Sequence, residues 1–156
     1  MGVRRPFHVN INCTDFQESL AFYEWLGFQV VNDLGEGGSK AIQQGLAMTE
    51  RPVGRAALLQ AGDDPRSLRI DLIEWKTPRV EGATPPNLWT VGMSRLALIC
   101  DNLLELCEQA AERGIEVLSE PVMPARTTVA VRNVGPSFSE RSSRPRRRRF
   151  SSASAP

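Results

Sequence analysis

The strongest constraint on the fold is that one order of predicted elements occurs twice along the chain. A strand pattern that contains His8 precedes a helix ending near Gly27, and a strand pattern that starts at Arg95 precedes a helix ending near Gly114. The two strand positions lie about 87 residues apart. Repetition of this kind indicates two copies of one supersecondary unit that bury their apolar faces together. The sequence therefore predicts an α+β fold in which two modules are paired around a shared cavity.

The first module begins with a strand and a helix. Residues 7–13 alternate apolar and polar side chains, which is the period of a half-buried strand. Thr14 and Asp15 supply oxygens that suit a helix N-cap, and the apolar residues after them recur at helical spacing. The pattern predicts a compact step from strand to helix.

Three further strands complete the first module. Apolar runs at residues 28–31, 56–60 and 68–75 predict these strands, and a glycine-rich turn at residues 34–39 follows the first of them. Residues 40–54 fit no single pattern. The first module is therefore read as β-α-β-β-β.

The rest of the chain divides into a linker, a partial second module and a tail. The second module shows a strand pattern at residues 96–100, the N-cap candidates Asp101 and Asn102, and an amphipathic helix over residues 103–113. Its expected last strand is missing, so the module is incomplete. The tail is interpreted as disordered, with a basic binding patch and a shifted reading frame as alternatives. The predicted divisions are residues 1–75 for the first module, 76–93 for the linker, 94–134 for the second module and 135–156 for the Arg/Ser/Pro-rich tail.

Charge argues against a nucleic-acid surface on the folded part. The sequence has 19 basic and 18 acidic residues, but residues 141–156 contain six arginines and no acid. Residues 1–140 therefore carry 13 basic residues against 18 acidic ones, a formal charge of −5. A mildly acidic domain favours a small molecule or a protein as partner.

The apolar residues and the cysteines predict a cytoplasmic protein without membrane contact. No run approaches the roughly 20 apolar residues of a membrane-spanning helix, and no signal-peptide core follows the first arginines. Cys13, Cys100 and Cys107 form no CxxC pair and are odd in number. We therefore expect reduced thiols that are buried like small apolar side chains.

Three segments resemble the vicinal oxygen chelate superfamily, which includes glyoxalases, extradiol dioxygenases and bleomycin-resistance proteins. The first begins with residues 7–11 and is similar to the first β-α-β unit of the family, residues 69–75 resemble its fourth strand, and residues 95–98 with the helix to Gly114 resemble the start of its second module. The first segment continues with Asp15-Phe16, Ser19-Leu20, Phe22-Tyr23 and Leu26-Gly27-Phe28. Together the three segments cover most of residues 7–120.

The resemblance implies a metal site built from the first and last strands of each module. His8 and Asp71 occupy the two ligand positions of the first module, and the implied ion is Zn, Ni, Mn or Fe. Glu74 is the second candidate carboxylate: as the ligand in place of Asp71, as the catalytic general base, or as a salt-bridge partner of a nearby arginine. Because strand residues alternate between faces, Asp71 and Glu74 cannot both face the cavity of a regular strand.

The other half of this implied metal site is incomplete. Arg95 occupies the third ligand position, where a guanidinium has no lone pair for a metal but binds a carboxylate or phosphate at two points. Arg95 is therefore assigned to the catalytic site as a substrate contact. The fourth ligand, a glutamate in the last strand, has no counterpart in the sequence.

The resemblance implies two functions. One is a glyoxalase- or dioxygenase-like protein that acts on a small molecule as a divalent-metal-dependent lyase, isomerase or oxygenase. The alternative is a metal-free, bleomycin-resistance-like protein that binds or sequesters a ligand. Both imply a small-molecule partner and a homodimer.

Overall fold

The computed structural model describes residues 4–82, 96–119 and 131–132. None of the helices in these ranges is long and apolar enough to cross a membrane. The described elements, in chain order, are β1 (His8–Asn12), α1 (Phe16–Trp25), β2 (Phe28–Gly37), α2 (Lys40–Gly45), β3 (Val53–Ala61), β4 (Arg69–Thr77), α3 (Leu103–Glu112), β5 (Glu116–Val117) and β6 (Val131–Arg132).

The first module contains a four-stranded sheet with the strand order β1-β4-β3-β2. The first strand runs parallel to β4, whereas β3 is antiparallel to both of its neighbours. The predicted β-α-β-β-β order is confirmed, with the short helix α2 added between β2 and β3. Because β4 lies between β1 and β3, side chains from three strands converge around it.

The core lies between α1 and one face of this sheet. Leu59 and Leu72 have no exposed surface, and Phe16, Phe28 and Ile70 are almost fully buried beside them. Burying a side chain of this size contributes about 1.5–3 kcal/mol to stability. The alternation of strand residues then directs every second side chain of β4 away from the core.

Two helices begin and end as the sequence predicts. The Asp15 carboxylate accepts the Glu18 N–H at 2.9 Å, and the side-chain oxygen of Asn102 accepts the Glu105 N–H at 3.2 Å, so each satisfies an N–H that the helix itself leaves unpaired. After α1, Gly27 has a φ of 91°, a backbone conformation that suits glycine.

Strand β2 is longer than predicted. It continues to Gly37, so the expected glycine-rich turn at residues 34–39 is largely strand. Register shifts between Val30 and Asn32 and between Asp33 and Gly35 let the strand follow β3 despite the positive φ of Gly35. The turn prediction was wrong because local composition does not reveal a partner strand this long.

The predicted strand at residues 96–100 is also wrong. The structure assigns no strand there, although Leu96 and Leu98 pack against the core of the first module as the alternation predicts. Ile99 is 95% exposed and Cys100 is also exposed, which contradicts the expected burial of this cysteine, whereas Cys13 and Cys107 are buried. A strand requires a hydrogen-bonded neighbour, and alternation alone does not provide one.

The rest of the second module is described only in part. It contains α3 and an antiparallel pair formed by β5 and β6. Residues 127–130 of the expected penultimate strand, most of the linker and the tail from residue 135 lie outside the described residues. At the other end of the linker, β4 continues to Thr77, two residues beyond the predicted boundary of the first module.

We predict that Leu72→Ala lowers the free energy of unfolding by about 2–5 kcal/mol, because it leaves a cavity in the core. Leu104→Ala is the matched control, since Leu104 is 61% exposed on α3, and its effect should stay within about 0.5 kcal/mol. Urea unfolding followed by circular dichroism measures both. Equal effects of the two substitutions would contradict this assignment of the core.

Candidate functional site

The side of the four-stranded sheet opposite α1 carries a group of polar side chains. We call this side the polar face and define it by His8, Asn10, Gln60, Arg69 and Asp71. His8 and Gln60 are register partners of Arg69, and Asn10 is the partner of Asp71. Residues directly opposite each other on neighbouring strands share a face, so the register places these five side chains on one side.

His8 and Asp71 lie next to each other on this face. The distance from Nε2 of His8 to Oδ2 of Asp71 is 4.0 Å, and the side chains are 30% and 15% exposed. The side-chain amide of Asn10 donates to the same Asp71 oxygen at 3.0 Å. The structure therefore brings together the two predicted metal-site residues and adds an amide that holds the carboxylate.

One polar atom of each residue is buried without a partner. Among the described residues, Nδ1 of His8 and Oδ1 of Asp71 have no hydrogen bond. Burial raises the pKa of the Asp71 carboxyl above its ordinary value, while His8 and the Asn10 hydrogen bond act in the opposite direction. Buried polar atoms left unpaired cost about 1–3 kcal/mol each, so such a pair points to a binding role.

Arg69 lies at the start of β4 on the polar face. Its Nε donates to the side-chain oxygen of Gln60 at 2.8 Å, and the side-chain amide of Gln60 donates to the Gly62 carbonyl at 3.0 Å. Gln60 is only 5% exposed, so its oxygen is a fixed acceptor for the arginine. This arrangement holds the guanidinium in one orientation.

The structure does not bring Glu74 together with His8 and Asp71. Alternation places Glu74 on the α1 side of β4, where its carboxylate accepts the Phe16 N–H at 3.1 Å and pairs with Nζ of Lys76 at 2.9 Å. A carboxylate at this position compensates the positive end of the α1 dipole. The predicted catalytic role of Glu74 stays a prediction, and the contacts give this residue a helix-capping role.

A cavity of about 350 Å³ opens beside the end of β4. His8 and Asp71 do not line it, so the cavity and the polar face are separate features of the described structure. Lys76 in its wall is paired with Glu74, and the Lys76 pKa is raised first by that hydrogen bond. The residues that line the cavity are Thr14, Glu74, Trp75, Lys76, Arg79 and Val80.

Trp75 takes part in packing on the polar side of the sheet. Its indole N–H donates to the side-chain oxygen of Asn12 at 3.1 Å. A Cβ added to Gly54 would lie 2.9 Å from the Trp75 ring, so the ring requires glycine beneath it. These contacts tie the ends of β1, β3 and β4 together.

The described residues do not supply enough donor side chains for a complete metal centre. In this part of the chain, no group of three or more His, Cys, Asp and Glu side chains is placed to hold a metal ion. His8 and Asp71 supply two donors, whereas catalytic zinc sites use three protein ligands and structural ones four. Arg95 lies outside the described residues, and its guanidinium is not a metal ligand.

Comparison with known proteins identifies the family. The family model for the Glyoxalase/Bleomycin resistance protein/Dioxygenase superfamily matches residues 5–132. The chain belongs to this superfamily. The family model therefore spans both modules up to β6 and ends before the Arg/Ser/Pro-rich tail. The resemblance seen in the sequence is confirmed. No curated protein matches the sequence.

A solved member of the superfamily has the same fold. The crystal structure of a glyoxalase family protein from Bacillus cereus superimposes with a TM-score of 0.72 at 15% sequence identity. The match covers 80% of this chain and 82% of that chain. The predicted α+β fold is thereby confirmed, and within the described residues the second module is incomplete, with α3 and the β5–β6 pair.

Sequence reasoning did not assign a role to Asn10, Gln60 or Arg69. Asn10 and Arg69 could have been found, because each lies two residues from a predicted site residue on the same strand and so shares its face. Gln60 gave no such signal, since its contact with Arg69 depends on the pairing of β3 with β4.

We predict that Glu74→Ala lowers the free energy of unfolding by about 1 kcal/mol, because the Phe16 N–H at the start of α1 loses its acceptor. Glu81→Ala removes an exposed carboxylate instead and should change stability by no more than about 0.5 kcal/mol. Urea unfolding compares the two variants with the wild type. If Glu74→Ala keeps wild-type stability but loses ligand binding or activity, the catalytic role is supported over the capping role.

Proposed function

We propose that this superfamily member binds a small organic molecule on its polar face and that His8 and Asp71 recognise the molecule. The observation that carries this proposal is the pair of buried atoms without partners, Nδ1 of His8 and Oδ1 of Asp71. An imidazole nitrogen and a carboxyl oxygen can each donate or accept, depending on protonation. A ligand with a complementary donor and acceptor would satisfy both atoms.

The chemistry of the donors favours ligand binding without a metal, as in bleomycin-resistance proteins. Two protein donors leave most of the coordination sphere of a divalent ion to other groups. The third position that the superfamily pattern would fill is Arg95, which repels a cation and attracts an anion. A metal-free binding or sequestration protein is therefore the first candidate.

A divalent-metal-dependent lyase, isomerase or oxygenase is the second candidate. The observation that favours it is the 4.0 Å distance between the His8 imidazole and the Asp71 carboxylate, since both ligand types suit Zn, Ni, Mn and Fe. Water or a partner subunit would have to complete the coordination. In such an enzyme Arg95 would contact the substrate, and Glu74 would act as general base only after releasing the Phe16 N–H.

Elemental analysis of protein purified without a histidine tag separates the two candidates. We expect metal well below one ion per chain in both the wild type and His8→Ala. Near-stoichiometric metal that is lost in His8→Ala would instead establish the metal-dependent candidate.

In parallel, fragments screened by NMR should shift the backbone amides of His8, Asn10 and Asp71, and His8→Ala should weaken these shifts. Shifts that never map to the polar face would contradict the proposed site.

We also propose that the protein forms a homodimer in the cytoplasm. Strand β2 is an edge of the four-stranded sheet, and it exposes the apolar side chains of Val30, Val31 and Leu34. An edge strand with exposed apolar residues is prone to pair with another chain. The free thiols of the three cysteines support a reducing compartment.

Sedimentation equilibrium tests the dimer. The wild type should sediment at about twice the 17.3 kDa of one chain. Leu34→Lys should shift the protein towards monomer because it places a charge on the β2 edge. Leu104→Lys, on the exposed side of α3, should leave the mass unchanged. A monomeric wild type, or a dimer insensitive to Leu34→Lys, would contradict this interface.

A further inference from the structure

Arg69 is a half-buried cation that no carboxylate among the described residues neutralises. Its neighbour along the same face, Asp71, is engaged with His8 and Asn10 of β1 instead. The hydrogen bond of the Arg69 side chain within the described structure joins Nε to the neutral amide of Gln60. Removing a charge from water without pairing it costs free energy, so this arrangement requires an explanation.

In the same sheet, the guanidinium of Arg55 is paired with a carboxylate. Its two terminal nitrogens donate to the two Asp33 carboxylate oxygens at 2.6 and 2.9 Å. This is the two-point geometry that makes arginine suited to carboxylates and phosphates. Arg69 has no corresponding acid, and its terminal nitrogens make no hydrogen bond within the described residues.

The surroundings of Arg69 fix its orientation. Gln60 binds the Nε edge of the guanidinium and is itself held by the Gly62 carbonyl. The central carbon of the guanidinium lies 5.9 Å from the centre of the Phe7 ring, within the range of a cation–π contact. A guanidinium held in this way loses little conformational freedom when it binds a ligand, which favours binding.

We propose that Arg69 recognises the anionic group of the ligand and that the ligand is a small organic carboxylate or phosphate. This inference rests on the proposed function, because it places the ligand on the polar face. The terminal nitrogens of Arg69 would bind two oxygens of the anion, while the rest of the molecule reaches His8 and Asp71 on the same face. Gln60 is a positioning residue that acts through Arg69.

The probes for the test are benzoate, phenyl phosphate and the neutral benzamide, titrated at constant ionic strength. NMR spectra of nitrogen-15-labelled protein report binding through the backbone amides of Gln60, Arg69 and Asp71. We expect benzoate or phenyl phosphate to shift these amides and benzamide to bind more weakly. Whichever anion binds more tightly identifies the carboxylate or phosphate class.

Arg69→Gln and Arg66→Gln are the matched variants, because each removes one positive charge. Arg66 is exposed in the loop between β3 and β4. We expect Arg69→Gln to weaken binding of the anion about tenfold or more, as loss of a charge-assisted hydrogen bond predicts, and Arg66→Gln to leave it nearly unchanged. Well-dispersed spectra establish that both variants are folded.

Three results would overturn the inference. If both anions and benzamide shift the polar face equally in the wild type and in Arg69→Gln, ligand binding at this face stands but Arg69 does not select an anion. If Arg66→Gln weakens anion binding as much as Arg69→Gln, the effect is one of net charge. If no probe shifts the polar face, the assigned ligand class is wrong, and the fragment screen decides separately whether the proposed site survives.

Discussion

The pairing of β4 with β1 on one side and β3 on the other determines both the core and the candidate site. The buried side chains Ile70 and Leu72 fix which face of β4 meets α1, and alternation then sends Arg69 and Asp71 to the opposite face. A register slip of one residue would bury the two charges and expose the two aliphatic side chains. The free energy of burying Ile70 and Leu72 therefore determines the face on which Arg69 and Asp71 lie. The two charged side chains by themselves contribute little to the choice of strand register.

The same strand gives two nearby carboxylates different chemistry. Glu74 accepts a hydrogen bond from the Phe16 N–H and pairs with Lys76 on the α1 side. Asp71 is on the other side, where burial raises its pKa and one of its oxygens has no partner among the described residues. The start of α1 explains the contacts of Glu74, whereas the contacts of Asp71 within the described residues are with His8 and Asn10. This difference is why the proposed function rests on Asp71.

Local patterns predicted the parts of the fold that are locally determined. The caps of α1 and α3 and the apolar strands around them depend on residues a few positions apart, and these predictions hold. The extension of β2 and the absence of a strand at residues 96–100 depend on hydrogen-bonded partners far away in the sequence, and those predictions failed. For the candidate site, strand alternation predicted that Asp71 and Glu74 lie on opposite faces of β4. The burial of Ile70 and Leu72 was needed to show that Glu74 is on the side of the core and Asp71 on the other side.

The charges on the polar face bear on the choice between a metal and an organic ligand. A divalent ion bound by His8 and Asp71 would lie near the guanidinium of Arg69, about 7 Å along the strand from Asp71 at the level of the backbone. A guanidinium repels a divalent ion and attracts an anion, so Arg69 opposes a metal on this face. An organic anion at Arg69 is instead attracted by the guanidinium, and one oxygen of the neighbouring Asp71 is already occupied by the Asn10 amide.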